Sequence, residues 1–109
     1  MKNLRTLCLA AVLIAIPQMA PAAPSVTPMS LGGLEAEVNF CKQVDPKSAA
    51  KYDELDKKFT EGMTDKEIAA ARAERDYKDT YAAITNILKK APADKAVETC
   101  HGLLESSSN

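Results

Sequence analysis

Cysteine and histidine are the residues in this chain best equipped for chemistry, and both are scarce. Cys41 lies in Glu-Val-Asn-Phe-Cys-Lys-Gln-Val, and Cys100 in Val-Glu-Thr-Cys-His-Gly-Leu-Leu, followed by His101, the only histidine. Cys-His-Gly looks like the end of a c-type haem attachment site. That site requires Cys-x-x-Cys-His, and Val97 stands where its first cysteine belongs. A structural zinc site needs four nitrogen or sulfur ligands, which two oxidised cysteines and one histidine cannot supply. Asp53-Glu54-Leu55-Asp56 is the densest acidic cluster. It lacks the spacing of a calcium loop, and on a helix its acids point to different sides, as on a solvated charged face. The expected cofactor set is therefore empty, with no metal.

Catalytic arrangements are equally short of parts. A serine nucleophile would depend on His101 as its base. The serines available, Ser25, Ser30, Ser48 and Ser106 to Ser108, occupy no strand-to-helix elbow. Paired carboxylates could serve a glycosidase, but a small bundle leaves little room for a cleft. No glycine-rich phosphate loop is present. The expectation is a protein that is not an enzyme and has no catalytic residues.

Tyr77 and Tyr81 stand one helical turn apart and continue an apolar stripe, so the plain expectation is that they pack in a core. Tyrosine also joins apolar area to a polar tip, which suits a protein-contact patch. Arg72 and Arg75, with Asp76, Lys78 and Asp79, would form its polar rim. Tyr77, Tyr81, Arg72 and Arg75 are the candidate partner-contact residues.

The cysteines need a compartment that oxidises them, and the N-terminus supplies an address. Residues 1–22 have the three parts of a secretory signal: Lys2 and Arg5, the apolar run Leu7–Ile16, and Ala20-Pro21-Ala22 as a cleavage motif. The run is about half of the roughly 20 residues a membrane span requires. Cleavage after Ala22 would remove Cys8 and leave Cys41 and Cys100 to pair in the periplasm or outside the cell. Loop-closure entropy for that spacing stabilises a fold by roughly 4 kcal/mol. The sequence holds 14 Lys and Arg and 15 Asp and Glu, and export removes two bases and no acid. The rest is mildly acidic and mixed in sign, which argues against nucleic acid and against an anionic membrane surface.

The elements that must position these residues all read as helices. Residues 23–30 form a proline-rich leader, expected to be disordered. A first helix runs over 31–44, with Leu34, Val38 and Cys41 in one stripe and Gly32 and Gly33 softening its start. Glu35 and Glu37 suit the positive end of its dipole. Asp45-Pro46 ends it and starts a second helix to about Thr60, with Asp45 as N-cap. Tyr52, Leu55 and Phe59 form its apolar face, and Gly62 follows it. Thr64-Asp65-Lys66-Glu67 reads as a capping box opening a third, unbroken helix to about Lys90. A fourth, 93–105, carries Val97, Cys100 and Leu104 on one face, and 106–109 form a polar tail.

Short connections between amphipathic helices imply an all-α antiparallel bundle of about four helices. A Cys41–Cys100 disulfide would join the first to the last. The function expected is an exported, non-catalytic protein-binding module, such as a chaperone, an immunity protein or an accessory subunit. Its partner would be another protein, with no stable membrane insertion once the signal is removed. A carrier with a small-molecule or metal site between the helices is the alternative. With one histidine, any acid response would fall to the carboxylates.

Overall fold

The computed structural model describes residues 26–108. The signal segment, its cleavage point and Cys8 lie outside the described residues, as does the start of the leader. Among the described residues there are five α-helices, one 3-10 turn and no strand. They form the expected all-α bundle, and the Cys41–Cys100 disulfide joins its first and last helices.

Helix α1 spans Pro28–Val44, so it begins inside the stretch read as leader. Thr27 and Ser30 form a reciprocal capping box: the Thr27 Oγ1 accepts from the Ser30 N–H at 3.1 Å, and the Ser30 Oγ from the Thr27 N–H at 3.0 Å. Pro28 takes the first helical position, where its missing N–H costs nothing. The chain leaves α1 at Asp45, turns through a 3-10 turn at Pro46–Ser48 and enters α2, Ala49–Phe59. Asp45 does not cap that helix with its side chain, contrary to expectation. The carboxylate instead accepts the Tyr52 hydroxyl at 3.0 Å. Gly62 has a φ of +88°, a left-handed conformation that glycine adopts without strain, and the chain turns there after α2.

Helix α3 spans Asp65–Ala73 and α4 spans Arg75–Lys89. The single long helix expected here is broken at Glu74, whose ψ of 145° is extended. No proline or glycine causes the break. It has a tertiary result instead: α3 and α4 both pack on α1, and residues from each reach the same α1 carboxylate. Thr64 caps α3 by accepting the Glu67 N–H at 3.1 Å, while the return bond from Glu67 is not made. Helix α5 spans Ala93–Ser107, two residues beyond the expected end. The Ser106, Ser107 and Ser108 hydroxyls donate to carbonyls three residues back, folding onto the last turn of the helix.

Every other helix packs on α1. On one side lie α2 and α5, around a core of Val38, Cys41, Tyr52 and Cys100, flanked by Leu34, Phe40, Val44, Leu55, Leu103 and Leu104. The bridge spans a sequence separation of 59 with Cα atoms 5.5 Å apart. Such a crosslink removes roughly 4 kcal/mol of conformational freedom from the unfolded chain. Contacts of Lys42 with Asp53 and of Asp45 with Tyr52 show that α1 and α2 run antiparallel.

On the other side lies α4. Its rungs to α1, Tyr77 with Glu35 and Tyr81 with Asn39, advance by four residues on both helices, so the two run in the same direction. They approach closely at Gly32, where a Cβ would stand 2.5 Å from the Tyr77 carbonyl oxygen. The glycine that softens α1 in sequence is therefore what lets α4 dock.

Candidate functional site

Glu35 is the one buried charged residue among those described, at 5% exposure. Two elements hold it, and a third brings up a second carboxylate. From α3, Arg72 donates Nε to Oε1 at 2.9 Å and Nη2 to Oε2 at 2.5 Å. From α4, the Tyr77 hydroxyl donates to Oε1 at 2.8 Å. From α2, Asp56 approaches the same guanidinium, 4.0 Å from Arg72 Nη2. A buried charge is tolerable only when paired and hydrogen-bonded, and this forked pair with Arg72 meets both needs.

The electrostatics follow from that geometry. Burial opposes the Glu35 charge, but the bonds from Arg72 and Tyr77 outweigh it and lower its pKa. Asp56 receives only the more distant charge of Arg72, which does not offset what raises it. Burial, and then the Glu35 charge, push it up to about 6. Its Oδ1 is shut off from solvent without a hydrogen-bond partner. Burial and the bond to Glu35 raise the Tyr77 phenol, and the Glu35 bond raises Arg72.

A second polar group sits beside the disulfide. Asp45 Oδ2 accepts from Tyr52 at 3.0 Å and lies 3.2 Å from His101 Nε2. Burial works against the Asp45 charge, but the Tyr52 bond and the His101 contacts prevail and lower its pKa. Burial, then Asp45, push Tyr52 up to about 12. Neither Cys41 nor Cys100 offers a thiol to this group, because the two are buried and bonded to each other.

Of the four candidate contact residues, three turn their polar ends inward. Arg72 and Tyr77 hold Glu35, and the Tyr81 hydroxyl accepts from Asn39 Nδ2 at 3.0 Å. The two tyrosine rings tilt against each other with centroids 5.9 Å apart. Arg75 stays on the surface, paired with Asp79 at 3.5 Å. The stripe of the two tyrosines continues along α4. Ile84 and Leu88 are half-buried, and Ile87 is 64% exposed.

Sequence reasoning missed Glu35 and Asp56 as a pair, taking the first for a dipole partner and the second for part of a solvated face. Both fall on apolar registers: Glu35 lies between Leu31 and Val38, and Asp56 between Tyr52 and Phe59. A charge on a stripe position was the available signal. Asp53 and Glu54 are exposed as expected of a solvated face, whereas Asp56 is not.

Among the described residues, no group of three or more His, Cys, Asp or Glu could hold a metal ion. No described helix is long and apolar enough to cross a membrane. The depression between α2 and the end of α5, about 410 Å³, mixes Lys51, Glu54 and Lys58 with Leu55 and Leu104. Fold and site together define a disulfide-stapled helical bundle with one helix docked through a polar seam. No protein-family model matches the chain, and no curated protein or solved structure matches it at a significant level.

Proposed function

We propose that the protein is an exported, non-catalytic module that binds another protein through the outer side of α4. The observation that carries this reading is the placement of α4. It packs on α1 and joins α3, but makes no substantial contact with α2 or α5. Its apolar stripe is consequently half-covered at Tyr77, Tyr81, Ile84 and Leu88, and Ile87 stands in solvent. Apolar surface flanked by charge, here Arg75, Lys78 and Asp79, is the usual anatomy of a protein contact. The disulfide and the apolar N-terminal run support a location in the periplasm or outside the cell.

Two experiments test the reading. A photo-crosslinking side chain at position 87 should capture a defined partner in intact cells, and the same probe at Lys47 should not. Identical products from both positions, or none from position 87, would overturn it. N-terminal sequencing of the protein recovered from outside the cytoplasm should begin at Ala23. A chain that keeps Met1 there would refute export by cleavage.

A further inference from the structure

The junction where α1, α2, α3 and α4 meet contains two carboxylates and one guanidinium. Arg72 gives both of its bonds to Glu35 and stands 4.0 Å from Asp56, at the limit of an ion pair. The groups facing Asp56 are Glu35 from α1, Arg72 from α3 and Asp53 from its own helix. Tyr77, from α4, is bonded to Glu35. Asp53 is itself held by Lys42 at 2.7 Å. No donor reaches the buried Asp56 Oδ1. A buried acceptor left without a donor is costly, and like charges held close disfavour a second ionisation. One added proton answers both: it turns an orphan acceptor into a donor and removes a charge. Glu35 is the neighbouring carboxylate able to receive it, and its Oε2, which accepts a single bond from Arg72, keeps a free lone pair.

We propose that Asp56 and Glu35 hold one proton between them, and that this proton fastens α2 to the α1–α3–α4 junction as a clasp that tightens in acid. The break at Glu74 lies two residues from Arg72, so the clasp acts where the α3–α4 segment bends. Deprotonation leaves two carboxylates on one guanidinium and loosens α2 from the junction. The reading is independent of what α4 binds.

The sign follows from linkage. Asp56 has a raised native pKa, so the native state holds its proton more tightly than the unfolded chain, and that stabilisation is lost as pH rises through about 6. Glu35 has a lowered native pKa, so its contribution is present above its ordinary value and is lost in stronger acid. With an ordinary aspartate value in the unfolded chain, the unfolding constant should rise about tenfold between about pH 5 and 7.5.

The test uses the oxidised, processed chain. Carboxyl carbon NMR should show Asp56 titrating with a midpoint near 6. The protection of α2 amides, corrected for the base-catalysed rise of intrinsic exchange, should fall over the same range. Asp56→Asn, which mimics the neutral acid, should make the rise in the unfolding constant about tenfold smaller, leaving what the half-buried Glu37 and other groups contribute. Asp45 and His101 are unchanged in that variant, so the difference between the two proteins isolates Asp56. A midpoint at or below about 4.5, close to an ordinary carboxyl value, overturns the proposal. So does a rise of the same size in Asp56→Asn. Should that variant fail to fold, the titration of the unaltered chain decides alone.

Discussion

On one side of α1, Val38 and Cys41 meet Tyr52 and Cys100 in a core closed by a covalent bond. On the other, Glu35 and Asn39 meet Arg72, Tyr77 and Tyr81 through hydrogen bonds, beside a glycine contact. The first side buries residues from three helices. The second buries no residue of α4 at all. The first side is built on apolar burial and a crosslink, whose strength does not depend on charge, with Asp45, Tyr52 and His101 as a polar group beside it. The second is a seam of carboxylates, a guanidinium and phenols, whose strength does. The same central helix therefore supports a durable half and an adjustable half.

Removing the bridge is the strongest way to weaken the durable half. Cys41→Ser with Cys100→Ser should cost roughly 4 kcal/mol, read from urea unfolding of the oxidised chain against the variant. If stability barely changes, the helix core alone holds the fold. Gly32→Ala attacks the other side. Its Cβ would meet the Tyr77 carbonyl at 2.5 Å, and the forced shift should cost about 1–3 kcal/mol. Hydrogen exchange should localise the damage to α3 and α4, leaving α2 and α5 protected. Equal loss of protection everywhere would show that the two sides are one cooperative unit.

Glu35→Gln keeps the shape of the seam but removes its charge. The expected loss is about 1–2 kcal/mol at pH 7, since charged hydrogen bonds are worth more than neutral ones and the half-exposed Arg72 can recover water. The smallest effect on stability belongs to Ile87→Asp. A residue 64% exposed should change it by less than about 0.5 kcal/mol, while abolishing partner capture at α4. A large stability loss would mean that the outer face of α4 is part of the fold rather than a surface for binding.

The legible and illegible parts of this chain separate along the same line. The stripe Leu34, Val38 and Cys41, the Tyr52–Leu55 face and the Val97–Cys100–Leu104 face all pointed to a common interior, and the disulfide pairing agreed with them. Local signals were partly decisive: Thr64 does cap its helix, and Gly62 does turn left-handed. They failed where the deciding partner is distant in sequence. Nothing near Glu74 announces a break, and Gly32 reads as a weak helix start until Tyr77 is placed against it.

Periodicity and the two cysteines determined by themselves that the chain makes amphipathic helices and that the first is tied to the last. Both are properties of single segments and of residue chemistry. Tertiary structure decided that Glu35 and Asp56 share one guanidinium, that α3 and α4 bend apart, and that α4 docks through a seam of polar groups. Those outcomes depend on which side chains meet across separations of tens of residues, and a one-dimensional pattern of apolar and charged positions carries no distance between them.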